Sequence, residues 1–116
     1  MNVNQRRGEI SATLDGRAFR LCLTLGALAE LESAFEAKDL GALVERFSTG
    51  RLSAGDMAKI IGAGLRGGGN SVCDGDVLAM HCEDGVTGFA AIVSDLLTAS
   101  FGVQGGAGEE ARPTNP

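Results

Sequence analysis

The sequence has no tryptophan and no tyrosine, and all five of its aromatic residues are phenylalanine. With so few large anchors, its core has to be built mostly from Leu, Ile, Val, Ala and Phe. It also lacks an apolar run of about 18 residues, the length a helix needs to cross a bilayer. The opening MNVNQRRGEI holds no apolar signal core, so the expected compartment is the cytoplasm. Cys22, Cys73 and Cys82 would be reduced thiols there, and an odd number of cysteines fits that setting. Positive charge is scarce too: ten basic residues stand against fifteen acidic ones, a net charge of -5. A nucleic-acid binder needs a basic stripe to displace counterions, so that class of partner is disfavoured. The densest basic spot, Arg6-Arg7, is too short for such a footprint and reads as a solvated N-terminal tail.

What is present fits one domain. The chain has 116 residues, enough to bury roughly two-thirds of the surface exposed by the unfolded chain. Residues 9 to 14 alternate, with Ile10, Ala12 and Leu14 on one face. Asp15-Gly16 follows, a pair suited to a type I′ turn because both central residues need positive φ. Residues 17 to 23 alternate again, with Phe19, Leu21 and Leu23 facing one way and Arg20 the other. This is a β-hairpin, and a hairpin alone is marginal in water, so its apolar face has to lie against helices.

Thr24 is placed to cap a helix from Leu25 to about Glu36, with Leu25, Leu28, Leu31 or Glu32, and Phe35 at helical spacing. Asp39 caps a second, carrying Leu40, Leu43, Val44 and Phe47, and Gly50 stops it. Ser53 and Asp56 resemble a capping box before a third helix with the stripe Met57, Ile60, Ile61 and Leu65, ending in Gly67-Gly68-Gly69-Asn70. Either Ser71 or Asp74 caps a fourth, running to about Cys82 and broken by Asp84-Gly85. A last helix spans Val86 to Phe101, with Phe89, Val93, Leu96, Leu97 and Phe101 inward and Ser94, Asp95 and Thr98 outward. The expected fold is therefore α+β and mostly helical: an N-terminal β-hairpin packed on about five short helices. One domain covers residues 1–102, and residues 103–116, rich in Gly, Pro and charge, form a disordered tail.

Chemical motifs fail on context. Gly62-Ala63-Gly64-Leu65-Arg66-Gly67 matches the dinucleotide fingerprint, but a helical stripe precedes it where a strand is required. These glycines sit at a helix C-terminus, whose dipole repels phosphate, and are read as allowing close packing and then ending the helix. Cys73, His81 and Cys82 lack the paired ligands of a zinc site, and His81 and Cys82 would point to different sides of a helix. They read better as buried or half-buried thiols beside a lone surface histidine. Asp74 and Asp76 open like a calcium loop, but Leu78 and Ala79 occupy a ligand position and the turn-glycine position. His81 is the only histidine and no serine sits in a nucleophile elbow. Glu30 and Glu32 look like a solvated helix face. No catalytic residue, metal site or cofactor is assigned.

The runs Asn4-Gln5-Arg6-Arg7-Gly8-Glu9-Ile10, LDGRAFRLCLTLGALAELE (Leu14 to Glu32), DLGALVERF (Asp39 to Phe47) and IIGAGLRGGGN (Ile60 to Asn70) together carry a resemblance. Over roughly Asn4 to Phe101 the chain resembles the gene transfer agent family of phage-like tail proteins, described as tail assembly chaperones and sometimes labelled tail tube proteins. That resemblance implies binding to the tape measure protein and recruitment of tail tube subunits in a bacterial cytoplasm, with departure before the particle matures. A structural tail tube or connector subunit retained in the particle is the alternative, and a small thiol-dependent enzyme a distant second. Weak self-association stays open. Arg17 and Arg20, taken together as the polar face of the hairpin, are the candidate partner-binding residues.

Overall fold

Alternating apolar residues on either side of an Asp-Gly pair dictate the first element. In a computed structural model describing residues 8–101, β1 (Glu9–Leu14) and β2 (Arg17–Cys22) pair antiparallel in the register Leu14↔Arg17, Ala12↔Phe19 and Ile10↔Leu21. Asp15 and Gly16 form the tip with φ of 55° and 73°, the left-handed pair that a type I′ turn demands. Arg6-Arg7 and the segment 103–116 lie outside the described residues.

Five helices follow among the described residues: α1 (Leu25–Ala34), α2 (Leu40–Ser48), α3 (Ala54–Gly67), α4 (Asp74–Leu78) and α5 (Gly85–Phe101). The caps read from sequence hold for the first three. The Ala27 N–H donates to Thr24 Oγ1 at 3.1 Å and the Ala42 N–H to Asp39 Oδ1 at 2.8 Å. At α3, the Asp56 N–H donates to Ser53 Oγ and the Ser53 N–H to Asp56 Oδ2, both at 3.0 Å. Arg46 adds an ion pair to the same Asp56 oxygen at 3.1 Å. The Ser53 backbone N–H, then Arg46, hold the Asp56 carboxyl below its ordinary value against a smaller opposing effect of burial.

The helical ends differ from expectation in three places. α1 stops at Ala34 because Glu36 turns left-handed at φ 55°, and the N–H groups of Ala37 and Glu36 bond back to Glu32 O (2.8 Å) and Ser33 O (3.3 Å). That is a Schellman ending formed without glycine. α4 is a single short turn that does not reach Cys82, and its cap is Cys73, not Ser71 or Asp74; the Cys73 N–H donates to Asp76 Oδ2 at 2.9 Å. His81 and Cys82 therefore lie in a link and not on a helix. This link is tied to the hairpin tip: the His81 N–H donates to Asp15 Oδ1 and the Asp15 N–H to His81 O, each at 2.8 Å. Leu25, expected on the buried stripe of α1, is 77% exposed; Ala27 is buried in its place, beside the expected Leu31.

α3 is the central element. Ile60, Ile61, Ala63 and Leu65 are all fully buried. Its glycines let the hairpin come close: a Cβ at Gly67 would overlap the Cys22 carbonyl, one at Gly68 the Arg20 carbonyl, and one at Gly64 would meet Leu96 Cδ2 at 2.6 Å. Arg66 then clamps three elements, with Nη2 at 2.6 Å from Glu30 Oε1 of α1, Nη1 at 3.0 Å from Val72 O, and Nη2 at 3.1 Å from Asp74 Oδ1. The last of these lies within ion-pair distance but outside hydrogen-bond geometry, so Asp74 Oδ1 keeps no hydrogen-bond partner. Glu30 is thus an ion-pair partner and not simply part of a solvated face. On the far side Phe35 and Phe47 meet edge-on at 5.2 Å between ring centroids.

Two outcomes follow. Gly67→Ala is expected to cost about 3 kcal/mol, the upper end for overpacking, because the obstacle is backbone. Gly26→Ala, whose Cβ would meet only Thr24 Oγ1 at 3.8 Å, should be neutral or stabilising; urea denaturation of both variants checks the contrast. Asp56→Asn should cost about 1 kcal/mol at neutral pH. Because the folded-state value is lowered, the carboxylate's contribution is complete above the unfolded-state value and disappears as pH falls through the folded one. The gap between wild type and Asp56→Asn should therefore close in acid, and a gap constant down to pH of about 2 would contradict the assignment.

Candidate protein-docking surface

The packing of α3 against the hairpin uses one side of that helix and leaves Ala54, Met57, Ala58 and Ile61 on another. These four form the floor of an apolar groove whose walls are Val77, Leu78 and Met80 from α4 and its link, and Val86 and Phe89 from α5. Val77 anchors its wall in the core at 3% exposure, whereas Leu78 and Val86 stand 64% and 73% exposed at the rim. Large apolar side chains gathered at the rim of an apolar groove mark a contact surface more often than chance exposure does. The two methionines suit such a surface, since an unbranched thioether side chain repacks readily around different partners. A second apolar recess lies between α2 and α5, lined by Val44, Phe47, Ser48, Leu97 and Phe101. This explains why Phe89, Leu97 and Phe101, expected inside, are only half-buried, while the core side of α5 is Gly88, Ile92, Val93 and Leu96.

The hairpin offers a different kind of surface. The pair next to the tip, Leu14↔Arg17, is hydrogen-bonded, and pairs alternate from there. Ser11 and Thr13 therefore turn their backbone groups outward from β1, and these take no partner among the described residues. On β2 the equivalent edge is covered: Arg20 O accepts from Asn70 Nδ2 at 2.9 Å, and Gly67 and Gly68 lie against the carbonyls of Cys22 and Arg20. Among the described residues the sheet has one open edge.

The structure does not bring Arg17 and Arg20 together. Strand alternation sets Arg17 on the side of Phe19, with its guanidinium 4.9 Å from that ring's centroid, and Arg20 on the opposite, exposed side across from Ser11. The expectation of a shared polar face is corrected by that geometry. Cys73 is exposed, contrary to the expected buried or half-buried thiol, while Cys22 and Cys82 are half-buried. Burial first, and Glu9 second, push the Cys22 thiol above its ordinary value, the opposite of what an activated nucleophile needs. Among the described residues no three His, Cys, Asp or Glu side chains converge as a metal site would require. Among the described residues no helix is long and apolar enough to cross a membrane. The groove residues Leu78, Met80 and Val86 were not singled out from sequence as a surface. Their one signal was an apolar residue on either side of a Gly-Asp-rich break, and it does not say which way they face.

No curated protein and no solved structure matches the chain. The family described as "Phage tail tube protein, GTA-gp10" matches residues 7–103, which include both strands, all five helices and the whole groove. The chain belongs to this gene transfer agent and phage tail protein family.

Proposed function

We propose that the chain is a non-catalytic tail component that works by seating a helical segment of another tail protein in the groove between α3, α4 and α5. The observation that carries this reading is the exposure of Leu78 and Val86 beside Met57, Met80 and Phe89. An apolar rim costs solubility unless a partner covers it. The family's description as tail tube protein supports a subunit retained in the particle, as tube or connector. That is the preferred reading, and the helical groove supplies its contact between subunits.

A second reading is favoured by one specific observation. A ring propagated by sheet pairing needs two open edges per subunit, one to donate and one to accept. Here α3 covers the β2 edge and only β1 is open. That supports a transient role, in which the groove masks apolar stripes of the tape measure protein in the bacterial cytoplasm and tube subunits later displace the chain. Avidity along one long partner would compensate for weak single contacts. Weak pairing of two copies through β1 is compatible with either reading.

Quantitative mass spectrometry of purified particles separates these two. Retention predicts this chain at a copy number matching the tube. The transient reading predicts its absence from particles together with a soluble complex with the tape measure protein on co-expression. Absence from particles and from every tail-protein complex would overturn the proposal as a whole.

A further inference from the structure

We infer that the groove selects an amphipathic helix with basic flanks, because both of its walls carry negative charge alone. This inference rests on the groove being the working surface proposed above. No Lys or Arg occurs between Arg66 and Arg112. Across α4, its link and α5, the described charged residues are Asp74, Asp76, Glu83, Asp84 and Asp95. Asp76, Glu83 and Asp84 are exposed and lie within three residues of the rim residues Leu78 and Val86 in the chain. Asp76 accepts the Cys73 N–H, and Glu83 and Asp84 make no ion pair among the described residues.

The nearest cations on α2 and α3 are already committed. Arg66 holds Glu30 and Asp74, Arg46 holds Asp56, and Lys59 lies 5.6 Å from the Phe35 ring centroid. The α4–α5 end of the groove is therefore an apolar trough under an uncompensated acidic rim. A helix with apolar residues at i, i+3 or i+4 and i+7 fills such a trough. Lys or Arg beside that stripe would meet Asp76, Glu83 and Asp84, whereas Asp or Glu there would be repelled. The apolar stripe sets the affinity, and the rim sets which helices are accepted.

Two synthetic helical peptides with the same leucine stripe, one flanked by lysine and one by glutamate, test this by fluorescence anisotropy against the full chain. The lysine peptide should bind about fivefold or more tightly at low salt, the scale set by two or three exposed charge pairs. That preference should shrink at about 0.5 M salt, where screening is strong. The double variant Glu83→Gln with Asp84→Asn should reduce the preference while leaving the melting temperature unchanged. Leu78→Asp, and separately Val86→Asp, should abolish binding of both peptides without unfolding a chain in which these side chains are exposed. Equal binding of the two peptides by the wild type overturns the charge inference and leaves the groove reading standing. Failure of both to bind, or binding that ignores Leu78→Asp and Val86→Asp in folded protein, overturns both.

Discussion

The close approach of α3 to the β2 edge is the contact on which the rest of the structure depends. A two-stranded hairpin cannot hold itself together in water, and here its inner face, Leu14, Leu21 and Phe19, is buried only because α3 and α5 lie over it. Gly64, Gly67 and Gly68 make that distance possible by presenting no Cβ where Leu96, the Cys22 carbonyl and the Arg20 carbonyl already sit. Gly64 and Gly67 belong to the Gly-rich string that resembles a nucleotide fingerprint. Their chemistry is steric: a helix brought within backbone contact of a strand, then terminated.

That contact also shapes the candidate function. Because α3 spends one side on the hairpin, Met57, Ala58 and Ile61 are left to floor a groove, and α4 and α5 can only stand as its walls. The walls are held by long-range ties. Asp15 and His81 exchange backbone and side-chain hydrogen bonds across 66 positions, which fixes the link after α4, while Arg66 ties α3 to Glu30 of α1 across 36. The tie that seals β2 with Asn70 leaves β1 as the open edge. One seam thus fixes both surfaces proposed above for contact with other tail proteins.

Local chemistry was legible in the sequence, and non-local chemistry was not. The hairpin register, its Asp-Gly tip and the caps at Thr24, Asp39 and Ser53 each depend on residues within four positions of one another. Glu36 ends α1 in a conformation that sequence reserves for glycine or asparagine, so the helix read two residues too long. The α4 reading overran because the link to Cys82 is held by the distant hairpin tip and not by its own residues. Arg17 and Arg20 were misplaced by neglect of a rule the sequence did contain: positions three apart in a strand face opposite sides. The groove depends on how three elements meet, and no single segment announces it; only the acidic character from Asp74 to Asp84 could have hinted at a rim.

Two of the chain's three methionines, Met57 and Met80, line the groove and offer the most direct measurement of the central claim. Methyl-labelled methionine gives a spectrum of three resonances that can be followed while the tail tube subunit and the tape measure protein are added in turn. If the groove is the docking surface, the Met57 and Met80 methyls shift or broaden in proportion to complex formed. A complex that forms with the Met57 and Met80 resonances unmoved would place the contact elsewhere and contradict the account.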